Sequence, residues 1–222
     1  MDTPDLSPSM QDYLKVIWTA REWSKERVSS RAIAQRLGHS PSTVSETIKR
    51  LDAQGLVTHE RYGDVELTTT GRNIALAMVR RHRLIETFLV EYLGYAWDEV
   101  HDEAEVLEHA VSDDFIERLA DRLGHPDRDP HGDPIPSAAG QVPDVAAIRL
   151  SEVATPASVR VARVSDADAD LLRYLDDLAI GLDTAVRVLE RHDAAGTLSA
   201  EIDGHRVQLG LRAADAIWVV AT

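Results

Sequence analysis

Two histidines and two glutamates recur at helical spacing in the segment HDEAEVLEH, residues 101–109. Imidazole and carboxylate groups together suit divalent manganese, iron, cobalt or zinc. The segment is therefore a candidate metal-binding surface, although an acidic helix face that only contacts water would show the same spacing. Intervals of four, three and one residues let all four side chains share one face of a helix: His101, Glu105, Glu108 and His109.

A second pair of candidate ligands, His82 and Glu86, lies four residues apart in the preceding helical stretch. Residues at this interval are neighbours on a helix surface. Antiparallel packing of the two helices would bring the pair close to segment 101–109. Taken alone, the pair is more typical of a solvated helix face. His82 and Glu86 are candidate metal ligands because segment 101–109 would lie beside them.

The elements that precede these residues have the order of a winged helix-turn-helix. Apolar residues at helical spacing predict three helices, which begin near Met10, Ser30 and Ser40. Pro41 suits the first position of the third helix, because its missing N–H has no partner there. Two β-prone stretches within residues 56–69 predict a hairpin, which would be the wing. This order predicts a DNA-binding domain.

The start of the third helix and the wing carry side chains that suit contact with DNA. Small hydroxyl groups allow close approach to a groove and can bond phosphates or base edges. An interpretation of these hydroxyl groups as N-cap and solvent-facing groups is the alternative. The candidate DNA-binding residues are Ser40, Pro41, Ser42, Thr43, Ser45, Lys49, Arg50 and Arg61.

Composition restricts the classes of function. The 222 residues include no cysteine, which excludes disulfides and thiolate ligands. The net charge of −14 argues against a general nucleic-acid binder, yet residues 1–80 carry +1 and residues 81–222 carry −15. We therefore expect residues 1–80 to bind DNA.

No apolar stretch approaches the ~20 residues that cross a bilayer, and the first residues lack a signal-peptide pattern. We therefore expect a cytoplasmic protein with no membrane partner.

The rest of the chain changes in pattern twice. A long helix over about residues 70–93 and two shorter helices precede a stretch with five prolines and two glycines. Short β-prone runs follow, and they predict a small barrel. The predicted domains are a winged helix-turn-helix over 1–71, a helical domain over 72–124, a proline-rich tether over 125–144 and a barrel over 145–222.

Three segments after the winged helix occur in the order of a known family: RRHRLIETFL (80–89), HDEAEVLEHAVSDD (101–114) and HGDPIP (131–136). The chain resembles the metal-dependent repressors related to the diphtheria toxin repressor, which include iron-dependent regulators and manganese transport regulators. The resemblance implies a mainly α fold with a small β part, in which a winged helix-turn-helix, a helical dimerisation and metal-binding domain and a C-terminal SH3-like barrel follow one another. It also implies a homodimer that binds double-stranded operator DNA once metal is bound, and repression of metal-uptake genes.

The resemblance further implies two metal sites. In the iron-sensing branch, the positions that match Asp12 and Glu105 are typically Met and Cys, whereas both are carboxylates here. Hard oxygen ligands favour Mn(II), with Fe(II), Co(II) and Zn(II) as the alternatives. Lys15 stands where some manganese regulators have a glutamate that bridges two metals, which favours two separated sites. The implied first site is Asp12, Glu105, Glu108 and His109, and the second is His82, Glu86 and His101 with Asp168 from the C-terminal domain.

Three other functions fit parts of the sequence. An iron-dependent repressor of the same family would differ at few positions. A metallohydrolase would need a nucleophile or base beside an open metal position, and no second motif supports one. A winged-helix regulator that senses a small organic ligand would bind its operator without metal.

Overall fold

A computed structural model describes residues 6–24, 27–59 and 63–222. The chain divides into two compact units. Within the described residues, no helix is both long and apolar enough to span a membrane. The first unit comprises residues up to 82 together with 136–141, and the second comprises residues 83–135 and 142–222.

The first unit is a winged helix-turn-helix, which confirms the predicted order of elements. It contains α1 (Pro8–Trp23), α2 (Ser30–Leu37), α3 (Pro41–Ala53), β1 (Val57–His59) and β2 (Val65–Leu67). The Ser40 hydroxyl accepts a hydrogen bond from the backbone N–H of Thr43 at 3.2 Å and so caps α3. β1 and β2 pair as an antiparallel hairpin. The hairpin tip, residues 60–62, lies outside the described residues.

Buried side chains spaced three or four residues apart join α1 to α3. Tyr13 and Ile17 on α1 and Ile48 and Leu51 on α3 are fully buried in one apolar core. Because these side chains fix α3 against α1, the exposed face of α3 has a defined position within the unit.

Three helices contribute to the second unit. α4 spans Thr69–Leu93, so its second half belongs to this unit with α5 (Val100–Leu107) and α6 (Asp113–Leu123). α5 is shorter than the predicted helix over 97–110. The backbone N–H of Ala110 bonds the carbonyl of Leu107 at 2.9 Å in a closing turn, so that Glu108 and His109 follow the helix instead of lying within it.

The C-terminal part is a small barrel, as predicted. Its six strands form one antiparallel sheet in the order β3-β8-β4-β5-β6-β7 around a single apolar core. Asp203 and Gly204 form the β6–β7 turn with φ of 49° and 77°, the conformation that a two-residue hairpin turn requires. The elements are β3 (Ile148–Arg149), β4 (Ala157–Val164), α7 (Ala169–Asp177), β5 (Ala185–His192), β6 (Thr197–Ile202), β7 (His205–Gly210), α8 (Leu211–Asp215) and β8 (Ile217–Ala221).

The proline-rich segment after α6 carries no helix and only one isolated β-bridge, as predicted for a loop, yet part of it is buried. Asp129, His131 and Asp133 are each at most 5% exposed. The backbone N–H of Asp129 donates to the carbonyl of Asp133 at 3.0 Å, and the N–H of Val164 on β4 donates to the carbonyl of His131 at 2.8 Å. Residues 129–135 are therefore packed against the barrel and do not form a free tether.

Candidate metal centre and DNA-binding surface

Four side chains from four segments of the second unit converge. Glu86 lies on α4, His101 on α5, His131 in the proline-rich segment and Asp166 just after β4. Nδ1 of His101 lies 3.4 Å from Oε1 of Glu86 and 3.2 Å from Oδ2 of Asp166. Nδ1 of His131 lies 3.9 Å from Oε2 of Glu86. Potential ligand atoms of Glu86, His131 and Asp166 all lie within 4.8 Å of one another.

The orientation of His131 is that of a metal-ligating histidine. Its Nε2–H donates to the carbonyl oxygen of Trp97 at 2.6 Å, and the Trp97 ring stacks on the imidazole with the centroids 6.1 Å apart. Its other nitrogen, Nδ1, is buried, faces Glu86 and has no hydrogen-bond partner among the described residues. Histidine ligands characteristically donate one N–H to a carbonyl and offer the other nitrogen to the metal. The residues present therefore fit a divalent cation.

Protons balance the charges of this cluster in the absence of a cation. Burial disfavours the charged imidazole, but hydrogen bonds with Asp166 and Glu86 outweigh burial and raise the pKa of His101 to about 11. Burial of the Asp166 carboxyl group is likewise outweighed by its hydrogen bond with His101, which lowers the pKa of Asp166 to about 2. A divalent cation would supply the positive charge that the protons otherwise supply.

The structure brings together some of the residues predicted for the second metal site. Glu86 and His101 are in contact, and buried His82 lies one helical turn before Glu86 on α4. Asp168 does not join them. Its carboxylate caps α7 by accepting from the N–H of Leu171 at 3.2 Å, and it also pairs with Arg212 at 3.2 Å. The helix cap directs Asp168 to α7, and the carboxylate that lies beside His101 is that of Asp166.

Sequence reasoning missed His131 and Asp166. The HGDPIP segment supported the family resemblance, but its prolines and glycine led to its interpretation as part of a tether. The histidine within that segment was the available signal for His131. No sequence signal identified Asp166, because its position beside His101 depends on how β4 packs.

The residues predicted for the first metal site are divided between the two units. Asp12 lies on α1 in the first unit. In the second unit, the Glu108 side chain is fully buried at the end of α5, and its Oε1 lies 3.5 Å from Nε2 of His109. Glu105 is about one-third exposed, and its Oε1 lies 3.6 Å from Nε2 of His101.

The predicted DNA-binding residues of α3 lie on one exposed face. The Ser40 hydroxyl lies 2.8 Å from the hydroxyl groups of both Ser42 and Thr43, so the start of α3 presents a cluster of small polar groups. Arg50 pairs with Glu46 at 3.1 Å. Arg61 lies outside the described residues. The exposed predicted residues are Ser40, Pro41, Ser42, Thr43, Ser45, Lys49 and Arg50.

Three family models match consecutive parts of the chain. They describe the N-terminal DNA-binding domain of iron dependent repressors (residues 5–65), the metal-binding and dimerisation domain of the same repressors (68–137) and a FeoA domain (148–221). The iron-dependent repressor IdeR of Mycobacterium leprae is 36% identical over 213 residues, 90% of this chain and 91% of that protein. The diphtheria toxin repressor of Corynebacterium diphtheriae is 32% identical, over 92% of this chain and 93% of that protein.

Solved structures of two manganese regulators share this fold. A manganese-dependent transcriptional repressor in complex with manganese is 57% identical, with a TM-score of 0.93, over 96% of this chain and all of that one. The manganese regulator SloR is 36% identical, with a TM-score of 0.83, over 98% of this chain and all of that one. The chain belongs to the iron-dependent repressor family and is a metal-dependent transcriptional repressor.

Proposed function

We propose that this chain is a manganese-dependent repressor that binds double-stranded operator DNA as a metal-loaded homodimer and controls genes for metal uptake. The observation that carries the proposal is the donor set at the converging residues. Glu86 and Asp166 offer oxygen, and His131 offers a buried nitrogen. Such donors suit Mn(II), whereas sulfur donors favour metals further along the transition series.

We assign one metal to Glu86, His101, His131 and Asp166, with His82 as a further candidate ligand. The cation would link four segments of the second unit and replace the protons that balance the carboxylates there. Because the barrel contributes Asp166, metal at this site would stabilise the attachment of the barrel to the helices.

We assign a second metal to the residues that the family resemblance implies: Asp12, Glu105, Glu108 and His109. The fully buried Glu108 side chain supports a metal here, because its Oε1 lies 3.5 Å from Nε2 of His109, and a carboxylate oxygen beside an imidazole nitrogen is a donor pair that suits divalent metals. A metal shared by Asp12 on α1 and Glu108 after α5 would fix the DNA-binding unit relative to the dimer axis. The spacing of the two α3 helices would then match the operator half-sites.

Exposed apolar side chains on the helices of the second unit support the homodimer. Tyr92 and Leu93 at the end of α4 and Phe115 on α6 are 45%, 57% and 45% exposed. The Tyr92 hydroxyl donates to the carbonyl of Arg122 at 3.4 Å, so the end of α4 lies beside α6. Exposed large apolar side chains on neighbouring helices are typical of a protein–protein interface. We propose that these residues contribute to the interface with a second copy of the chain.

Fluorescence anisotropy with a labelled palindromic operator duplex tests the proposed function. The duplex would be selected from a random library with mixed divalent metals, so that the selection favours no single metal. Wild-type protein would then be titrated in chelator and at equal buffered free concentrations of Mn(II), Fe(II), Co(II) and Zn(II). We expect tight binding with Mn(II) at concentrations where the other metals give weak binding, and no specific binding in chelator.

Two outcomes would replace the proposal with an alternative. Strongest activation by Fe(II) would indicate an iron-dependent repressor. Equal binding in chelator would indicate a regulator that does not sense metal.

The Asp168→Asn variant is the matched control, because it removes a nearby carboxylate that caps α7. It should bind the operator as the wild type does.

A further inference from the structure

We infer that Asp133 is a positioning residue for the metal site at Glu86, His131 and Asp166, an inference that rests on the proposed metal function. Asp133 is itself a buried carboxylate, but both of its oxygen atoms are engaged by arginines. Oδ2 accepts from Arg83 Nη2 on α4 at 3.0 Å, and Oδ1 accepts from Arg163 Nε on β4. Asp133 therefore joins α4 to β4.

The turn that carries His131 is held by the same arginine. Arg83 Nη1 donates to the carbonyl of Pro134 at 2.6 Å, and Arg83 Nε lies 3.5 Å from Oδ2 of Asp129. The other oxygen of Asp129 accepts from the backbone N–H groups of His131 and Asp133, both at 2.9 Å. The backbone of the turn is thus organised around one guanidinium group.

This cluster pairs two arginines with two aspartates, although all four side chains are buried. Arg83, Asp129, Asp133 and Arg163 are between 4% and 6% exposed. Removing one member of a buried ion pair leaves an uncompensated charge, so such a cluster favours one arrangement of its elements over others. We call these four residues the clamp.

The clamp and the metal site share the same three segments. Arg83 precedes Glu86 by three residues on α4, Arg163 precedes Asp166 by three residues at the end of β4, and Asp133 follows His131 by two. The three segments that supply Glu86, His131 and Asp166 therefore each supply a member of the clamp as well, whereas α5, which supplies His101, does not. Fixing Arg83, Asp133 and Arg163 to one another fixes the backbones from which Glu86, His131 and Asp166 extend.

Close backbone contact between the turn and β4 strengthens this coupling. Gly132 has φ of +87°, and a Cβ atom there would lie 2.1 Å from the carbonyl oxygen of Ala162. The N–H of Val164 donates to the carbonyl of His131 at 2.8 Å. Movement of β4 away from the turn would therefore separate Asp166 from His131. The clamp assembles the site before metal arrives, and Asp133 acts by positioning Asp166 and His131 without touching the metal.

Mn(II) binding by the Asp133→Asn variant tests this role. The full chain would carry Asp12→Ala so that the other proposed site does not contribute, and free Mn(II) would be measured by electron paramagnetic resonance. We expect Asp133→Asn to weaken Mn(II) binding at least tenfold, the effect typical of groups that support metal ligands. Arg163→Lys, which keeps the charge, is a milder second variant should Asp133→Asn fold poorly. Asp183→Asn is the control, because it removes an exposed ion pair with Arg128 in the same unit.

A double variant separates positioning from general destabilisation. If Asp133 acts by positioning Asp166 and His131, Asp133→Asn should weaken Mn(II) binding by a smaller factor in an Asp166→Asn background than in the background that keeps Asp166. In metal-free protein, Asp133→Asn should also speed hydrogen exchange at the amide of Val164, and Asp183→Asn should not.

Additive losses in the double variant, or unchanged exchange and affinity in Asp133→Asn, would overturn the inference. Glu86→Gln distinguishes this failure from failure of the proposed function. If Glu86→Gln weakens Mn(II) binding and Asp133→Asn does not, only the positioning role fails. If neither weakens it, the metal assignment fails and the positioning role fails with it.

Discussion

Asp166 and Asp168 lie two residues apart but contact different partners, so replacing each carboxylate by an amide separates their roles. Asp166 Oδ2 lies 3.2 Å from Nδ1 of His101, whereas Asp168 caps α7 and pairs with Arg212. Asp166→Asn removes a negative charge that favours the imidazolium form of His101, and Asp168→Asn does not. We expect the pKa of His101 to fall in the first variant only.

The distance sets the size of this fall. Two unit charges about 4 Å apart interact by about 4 kcal/mol at an effective dielectric constant of about 20. Since about 1.4 kcal/mol changes a pKa by one, and water screens the exposed part of the ring, the pKa of His101 should fall by about 2 to 3. It should stay above the ordinary histidine value, because Glu86 remains 3.4 Å from the same nitrogen.

Nuclear magnetic resonance of the imidazole Cε1–H groups in chelator measures this titration directly. His101→Gln identifies the His101 resonance, and Asp168→Asn is the matched control. Identical His101 titrations in Asp166→Asn and Asp168→Asn would refute the reasoning. A wild-type pKa near the ordinary value of 6.5 would refute it as well.

Three further predictions concern metal binding and stability. Because the pKa of metal-free His101 is raised to about 11, its imidazole carries a proton at pH 7, and Mn(II) binding should release about one proton and tighten as pH rises. Calorimetric binding heats that do not depend on the ionisation heat of the buffer would contradict the assignment of His101 as a metal ligand. Gly132→Ala should lower the free energy of unfolding, measured in urea, by about 1–3 kcal/mol, because the added methyl group meets the Ala162 carbonyl. Gly196→Ala is the control and should lower the free energy of unfolding by less, because Gly196 has a similar positive φ of +64° but open space around it. Asp12→Met should shift metal preference in operator binding toward Fe(II) or Co(II), and unchanged selectivity would contradict the first site.

Local signals in the sequence predicted much of the fold. The Ser40-Pro41 pair marks the start of α3, and Asp203-Gly204 marks the β6–β7 turn, because each depends only on neighbouring backbone geometry. The spacing of the histidines and glutamates predicted the contact between Glu86 and His101, since both lie on helices whose periodicity is visible in the sequence.

The remaining ligands depend on tertiary contacts that no local pattern encodes. Asp166 reaches His101 only because β4 packs against the turn at His131, and the residues involved lie far apart in the chain. Asp168 matched a ligand position in the family resemblance, but its helix-capping role competes with ligation. The prolines around His131 correctly indicated a loop, yet they could not show that hydrogen bonds from Arg83 and Arg163 hold this loop in a buried position.

X-ray diffraction at the manganese absorption edge, from crystals of the Mn(II)-loaded protein, tests the assigned metal centre most directly. We expect an anomalous peak within ligand distance of Glu86, His131 and Asp166. A peak bound by Asp168 and not Asp166, or the absence of a peak among these residues in Mn(II)-saturated crystals, would contradict it.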